Sequence, residues 1–288
     1  MSQAAIRGAQ TPEVVVYRPV DRLKGLSVKE FRRQYQNRKP VVITDALQDW
    51  NAWNTWTFDA FTSRFGNSLV SVYPYDQGRY RADRVERLPL AEYIQNILRH
   101  DFNSYPYYLI YNSSLLDEHE QLKSDFSEPK YCYDWFKFVP KALRFPSPRL
   151  YLGPKGAISS LHQDRWGSHF WMAQFEGRKR WILFPPHQEQ FLYKSQGTEH
   201  DQGLIHYHLQ PDKPDLKKFP MFKHASGLEC TIGPGDLLIV PGNWLHWVLS
   251  LDATLSLTHN YMGPGNFLSC MKGQSEWSFQ YVLEKFRH

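Results

Sequence analysis

His162, Gln163 and Asp164 place an imidazole and a carboxylate two residues apart. Successive side chains of an extended chain point to opposite faces, so residues at this spacing share a face and can meet at one point. Both groups are ligands for a divalent metal, and a third donor has to come from elsewhere. The best candidate is His246 in PGNWLHW, which follows a strand and a Pro-Gly turn and so belongs near the mouth of a barrel. Two histidines and one carboxylate on one face leave coordination positions open, the arrangement suited to non-haem Fe(II) oxygen chemistry. Zinc hydrolases can use the same donors, so three residues do not fix the metal. Nothing in PGNWLHW or HQDRW supplies the HExxH helix or general-base carboxylate that hydrolysis would want. In a chain with 12 histidines an isolated HxD is weak evidence, and its surroundings, a GPKG turn and the pair Ser159 and Ser160, are what single it out. His206 and His208 have the same spacing, but DQGLIHYHLQPDKPDLKK around them is polar and reads as a surface loop.

The elements that must position these residues divide by texture. Residues 1–12 read as a loose terminus. Over 13–105 helices mix with strands. Ser27 and Glu30 form a capping box opening a helix, PVVITDA is a buried strand, Thr57 to Phe65 is a helix ended by Gly66, and SLVSVYP is an alternating strand. Pro89 suits the first residue of a helix through LAEYIQNILRH. From PYYLIYN at 106–112 to about 265, and most clearly from about 148, strands follow one another between Gly and Pro turns: RLYLGPKG, HFWMAQFEG, KRWILFPP, CTIGPGDLLIVPG and WVLSLDATLSLTHNYM. Such spacing predicts a sandwich or barrel. Residues 266–288 contain SEWSFQYVLEKF, an apolar-periodic C-terminal helix that either packs on the barrel or pairs two copies into a homodimer.

Composition narrows the class. Hydrophobic residues at 42% with 16% aromatics exclude a disordered chain, and no apolar run approaches the length of a membrane span. The first twenty residues lack the apolar region of a secretory signal, and three cysteines without CxxC spacing suggest neither a disulfide framework nor a cysteine zinc site. We expect a soluble, intracellular protein of the cytoplasm or nucleus, with no membrane partner. The net charge of +5 is too small to argue for nucleic acid, and the basic clusters Arg32, Arg33, Arg38, Lys39 and Arg178 to Arg180 read as solvated surface.

LHQDRWGSHFWMAQFEGRKRWILFPP, then PDLKKFPMF, then PGDLLIVPGNWLHWVLSLDATLSLTHNYM, together with RKPVVITDALQDW near the start, resemble the Jumonji-C (JmjC) family of Fe(II)- and 2-oxoglutarate-dependent oxygenases, in its small hydroxylase branch. The resemblance covers residues 100–265 clearly and the N-terminal part loosely. It implies a mainly β fold, a double-stranded β-helix (cupin or jelly-roll) core with an N-terminal α/β flank and a C-terminal helix. It also implies that His162, Asp164 and His246 bind Fe(II), and that Lys179 grips the distal carboxylate of 2-oxoglutarate, a fixed cation for a dianionic cosubstrate. Thr258 and Ser159 would line the same pocket, Tyr108 (or Tyr107 or Tyr111) would give it a phenol, and Asn260 would lie near the iron. Met172 stands where the nearest members carry Asn. Arg165 and Trp166, just beyond the HxD, are candidates for meeting substrate.

The implied reaction consumes O2 and 2-oxoglutarate, gives succinate and CO2, needs ascorbate as reductant in the assay, and hydroxylates a C–H bond. A protein or peptide side chain is the favoured substrate. N-methyl demethylation and tRNA or small-molecule hydroxylation share the chemistry, and a non-catalytic cupin-like module that binds metal or ligand is the alternative of a different class.

Overall fold

The structure is a computed structural model that describes residues 15–76, 79–112, 114–140, 144, 148–195, 204–273 and 275–276. In the N-terminal flank the strands β1 (Arg18–Pro19), β2 (Asp21–Leu23) and β3 (Val41–Ile43) are followed by β4 (Leu69–Asp76), β5 (Arg79–Tyr80), β6 (Glu86–Pro89) and β7 (Tyr107–Asn112). Helices α1 (Val28–Gln34), α2 (Asn51–Thr55), α3 (Phe58–Phe65) and α4 (Leu90–Arg99) lie between them. The rest of the sheet structure is β8 (Arg149–Gly153), β9 (Ile158–Gln163), β10 (His169–Glu176), β11 (Lys179–Phe184), β12 (Ile205–His206), β13 (Leu228–Ile232), β14 (Leu237–Val240), β15 (Leu245–Ser250) and β16 (Thr254–Tyr261).

Local chemistry starts the helices where the sequence puts the starts. Ser27 accepts from the backbone N–H of Glu30 while Glu30 reaches back to that of Ser27, the reciprocal cap that opens α1. Thr57 caps α3 in one direction only, its hydroxyl accepting from the backbone N–H of Ala60. Pro89 differs from expectation. It is the cap before α4 rather than its first residue, because its backbone is still extended (ψ 139°) and pairs with Leu69 as the last residue of β6.

Two sheets face each other. One has the order β1-β13-β11-β15-β9-β12, and the larger runs β2-β3-β14-β10-β16-β8-β7-β4-β5, with β6 on β4. Between them lies an apolar layer built from both, including Phe170, Met172, Trp181, Leu183, Leu238 and Val248. This is the double-stranded β-helix expected from the sequence. The flank is woven into it: β1 runs parallel to β13 and β3 antiparallel to β14, so early residues complete both sheets. Its helices cover the outer face of the larger sheet, where Trp171, Ala173 and Phe175 of β10 join Trp50, Trp56 and Phe61 in the largest apolar cluster. Thus β10 is buried on both faces, which explains why HFWMAQFE reads as a continuous apolar run rather than an alternation.

The PGD turn before β14 has its own reason. Gly235 sits at φ +90°, with the Trp53 ring close against the place a Cβ would occupy. Asp236, buried, accepts from the Gly233 N–H at 2.7 Å and from Arg22 at 2.6 Å, tying the turn to β2.

Helical residues run over 267–273 and 275–276. Most of the SEWSFQYVLEKF helix, and the homodimer expected through it, lie outside the described residues. No helix among the described residues is long and apolar enough to cross a membrane.

Candidate metal centre and its cavity

The three donors separated in sequence meet because of register. β15 lies antiparallel to β9 with His246 directly opposite His162, and their rings pack with centroids 4.1 Å apart. Asp164 follows β9 with its backbone still extended (φ −66°, ψ 150°), so the alternation carries its carboxylate to the face of His162. The chain then turns sharply through Trp166 (φ 60°) and Gly167 (φ 62°). One Asp164 oxygen, Oδ1, stands 3.8 Å from Nε2 of His162 and 4.0 Å from Nε2 of His246. The three donor atoms all lie within 4.8 Å of one another.

The tautomers suit a metal. Nδ1 of His162 is 2.7 Å from the Ser160 carbonyl, which can only accept, so Nδ1 donates there and Nε2 is the nitrogen turned toward the other donors. Nδ1 of His246 faces the Trp244 carbonyl in the same sense at 3.4 Å. Burial, and secondarily the neighbouring His162, push the pKa of His246 down to about 3, so its ring is neutral at physiological pH. A neutral Nε2 lone pair turned toward a carboxylate oxygen gains nothing by itself. A cation among the three groups satisfies them all, so the residues present fit a divalent metal.

The metal-facing carboxylate is itself held. Asn260 donates through Nδ2 to Oδ2 of Asp164 at 2.8 Å and to Ser168 Oγ at 3.0 Å, and its Oδ1 accepts from the guanidinium of Arg149. Deeper in the same cavity Lys179 is fully buried and donates to Ser256 Oγ at 2.7 Å and to the Tyr108 hydroxyl at 3.1 Å. No carboxylate among the described residues lies within ion-pair distance of it, and burial pushes its pKa down to about 7. A buried ammonium held only by neutral hydroxyls has charge left to satisfy, so this wall of the cavity suits an anion.

Of the residues singled out in the sequence, His162, Asp164, His246, Lys179, Tyr108, Ser159, Thr258, Asn260 and Met172 all line this one cavity. Thr258 turns its hydroxyl proton to the Trp171 carbonyl at 2.7 Å, leaving its oxygen to the cavity. Tyr107 points away and donates to Glu86 at 2.6 Å; the side chain of Tyr111 lies outside those described. Arg165 and Trp166 do not line the cavity. Trp166 packs on Phe136, and a Cβ on Gly273 would run into its ring, which places it under the C-terminal helical residues.

Two expectations are overturned here. Lys179 belongs to a basic cluster that reads as solvated surface, yet it is fully buried. His206 is not a surface histidine: it is buried in β12, lines the cavity, and pairs with His162 across β9. His246, His162 and His206 therefore form a row across three adjacent strands. The polar segment around His206 hid this, because a two-residue strand carries almost no periodic signal. Also missed were Arg149 and Tyr151, which line the cavity, and Ser256, which accepts from Lys179. For Ser256 a signal existed: Ser256, Thr258 and Asn260 alternate with Leu255 and Leu257, and that period of two puts Ser256, the partner of Lys179, on the same face as the cavity-lining Thr258 and Asn260. A single arginine at the head of β8 has no comparable signal.

A model of the cupin-like domain matches residues 27–266. Among curated proteins the chain is similar to the bifunctional arginine demethylase and lysyl-hydroxylase psr-1 of Caenorhabditis elegans, 29% identical over 269 residues that cover 89% of this chain and 65% of that one. It is also similar to the 2-oxoglutarate and iron-dependent oxygenase JMJD4 of Gallus gallus, 27% identical over 262 residues, 86% of this chain and 60% of the relative. The arginine-specific demethylase JMJ20 of Arabidopsis thaliana is 25% identical over 273 residues, 86% of this chain and 58% of that one. The chain thus spans about three-fifths of the length of these curated relatives. With the domain match spanning both sheets and all three convergent donors, the chain belongs to the cupin-like domain family, in the JmjC branch that its sequence motifs resemble.

Proposed function

We propose that the chain is an Fe(II)- and 2-oxoglutarate-dependent oxygenase that hydroxylates a C–H bond of a protein side chain, releasing succinate and CO2. The observation that carries this reading is the pairing, in one cavity, of three convergent histidine and carboxylate donors with a buried lysine that has no carboxylate partner among the described residues. A metal site alone suits many reactions; a metal site with a fixed cation deeper in the same cavity suits a chelating dianion. The printed names of the relatives, which include a lysyl-hydroxylase and an iron- and 2-oxoglutarate-dependent oxygenase, support the same chemistry.

His162, Asp164 and His246 would hold the iron, which with 2-oxoglutarate and O2 supplies the oxidising power. The protein's work is binding and orientation. Lys179 and the Tyr108 hydroxyl would take the distal carboxylate, with Thr258 and Ser159 on the same wall. Asn260 keeps Oδ2 of Asp164 occupied and so directs Oδ1 to the metal. Phe170, Trp181 and Val248 make the remaining wall apolar, which excludes water from the reacting centre. An N-methyl carbon is a C–H substrate of the same kind, so loss of methyl from arginine or lysine is the same hydroxylation followed by release of formaldehyde. Three cysteines, none in a disulfide, suit the reducing cytoplasm or nucleus.

The test is succinate formation from 2-oxoglutarate by the full chain with Fe(II) and ascorbate, with a cell-extract fraction as substrate source, beside His246→Ala and Lys179→Ala. Succinate that rises with extract and vanishes in both variants is the expected result. No succinate with extract, despite bound metal and 2-oxoglutarate, would overturn the reading in favour of a binding module. Mass spectrometry of the acceptor separates a gain of one oxygen from loss of a methyl group.

A further inference from the structure

A second cleft, of about 690 Å3, lies outside the metal cavity. Arg32, Arg38 and Lys39, a basic cluster that reads in the sequence as solvated surface, meet Lys130 there, almost a hundred residues further along the chain. Its walls are aromatic, among them Tyr35, Tyr131, Tyr133, Trp135 and Tyr261, and no Asp or Glu among the described residues lines it. Lys39 pairs with Asp21 at 2.7 Å, whereas Arg32, Arg38 and Lys130 have no carboxylate within ion-pair distance among the described residues. In a protein whose net charge is only +5, three cations without a direct carboxylate partner concentrate positive charge at this cleft, the nearest acids among the described residues being Asp21 on Tyr35 and Lys39 and Glu128 and Asp134 beside Tyr261.

Its position relative to the metal donors follows from the strands. The cleft is bounded by His169 at the start of β10, Pro241 just past β14 and Tyr261 at the end of β16. The residues next to two of these, Phe170 and Asn260, line the metal cavity. The turn that carries Asp164 runs through Ser168 straight into His169. Because side chains alternate along a strand, His169 and Tyr261 face outward and Phe170 and Asn260 inward, so cleft and metal donors lie at one end of the barrel on opposite faces of the larger sheet, joined over its edge by the Asp164–Ser168 turn. His169 keeps that boundary fixed by accepting from the Gly242 N–H at 2.7 Å and packing its ring on Tyr261.

We propose that this cleft binds an acidic segment of the polypeptide substrate, flanking the side chain presented to the metal; only the link to a substrate rests on the oxygenase reading. Guanidinium and ammonium groups on an aromatic wall recognise two or three carboxylates spaced along a peptide. A nucleic-acid backbone fits less well, because phosphate tracking calls for an extended basic stripe and these cations are confined to one cleft.

The experiment is fluorescence anisotropy of a labelled ten-residue peptide carrying four glutamates, titrated with the full chain at low and physiological salt, without metal or 2-oxoglutarate. Arg38→Glu with Lys130→Glu reverses two exposed charges of the cleft, and Lys217→Glu with Lys218→Glu reverses two exposed charges remote in sequence. Arg38→Gln with Lys130→Gln is a milder second variant. We expect the cleft reversal to weaken binding at least tenfold, the glutamine pair severalfold, and the remote pair less than twofold, with unfolding temperatures unchanged. Equal losses in cleft and remote variants, no binding to wild type at low salt, or tighter binding of a single-stranded oligonucleotide of equal charge that displaces the peptide would each overturn the proposal. Because metal and cosubstrate are left out, failure here leaves the oxygenase reading intact, and a chain that makes no succinate still gives a valid answer about the cleft.

Discussion

Asn260 donates through Nδ2 to Oδ2 of Asp164 at 2.8 Å, which leaves Oδ1 as the oxygen shared between the two metal-facing histidines. An amide can flip, and Arg149 prevents it here by donating to Asn260 Oδ1 from the opposite side. A buried guanidinium on β8 thus orients, through Asn260 on the adjacent β16, a carboxylate that follows β9 of the facing sheet. Removing such a support typically lowers metal affinity about 10- to 100-fold. Asn260→Ala should show that loss in Mn(II) binding, followed as free Mn(II) by electron paramagnetic resonance. Arg149→Met should lose less, and adding it to Asn260→Ala should cost little more, because both act through one contact. Additive losses would show that Arg149 acts by another route.

If Lys179 holds 2-oxoglutarate as proposed, binding should depend on pH. Burial lowers its pKa to about 7 in the ligand-free chain, and a bound carboxylate favours the charged form and raises it. Between those two values binding must take up a proton, so affinity should be flat below about pH 7 and fall as pH rises above it. Calorimetry with Mn(II) present, in two buffers of different ionisation enthalpy at pH 8, should report proton uptake. Lys179→Met should lose about 100-fold in affinity, in line with roughly 2–5 kcal/mol for one half of a buried charged pair, and should abolish the uptake. The same variant should raise the unfolding temperature of the ligand-free chain, because it removes a buried cation.

The metal-free chain should be sensitive to mild acid. Burial holds His246 at about 3 and His169 at about 4, below the ordinary 6.5. The unfolded chain then binds more protons than the folded one throughout that interval. Stability is therefore full above about pH 6.5 and falls as pH drops toward 4. Unfolding temperature measured from pH 7.5 to 5 should decline, and His246→Leu should narrow the decline. Mn(II) should shift the whole profile upward at neutral pH and lose that effect in acid, as protons compete for the donors.

Asp236 should matter for stability and not for the metal. Its buried carboxylate holds Gly233 N–H and Arg22, so Asp236→Ala leaves a buried donor unanswered in the turn before β14. A loss of about 1–3 kcal/mol is expected in urea denaturation, with Mn(II) affinity of the folded protein unchanged. Asp236→Asn keeps an acceptor for Gly233 and should lose less.

The sequence by itself determined what short-range physics controls. Ser27 with Glu30 and Thr57 with Ala60 start helices because a cap is satisfied within four residues. His162 and Asp164 share a face because extended chain alternates, and His246, Lys179, Thr258 and Asn260 could be named because their flanking motifs resemble a known family. Ser256 was within reach by the same alternation. What needed the tertiary structure was everything that depends on neighbours distant along the chain. Strand register set His246 and then His206 beside His162. Pairing of β8 with β16 brought Arg149 to Asn260 across more than a hundred residues. Trp166 became packing rather than cavity wall because helical residues near 273 close over it. Lysines and arginines carry no mark in sequence of whether they face water or a cavity. Only the packed structure buried Lys179 inside the cavity wall, and only chain packing gathered Arg32, Arg38 and Lys130 around one cleft.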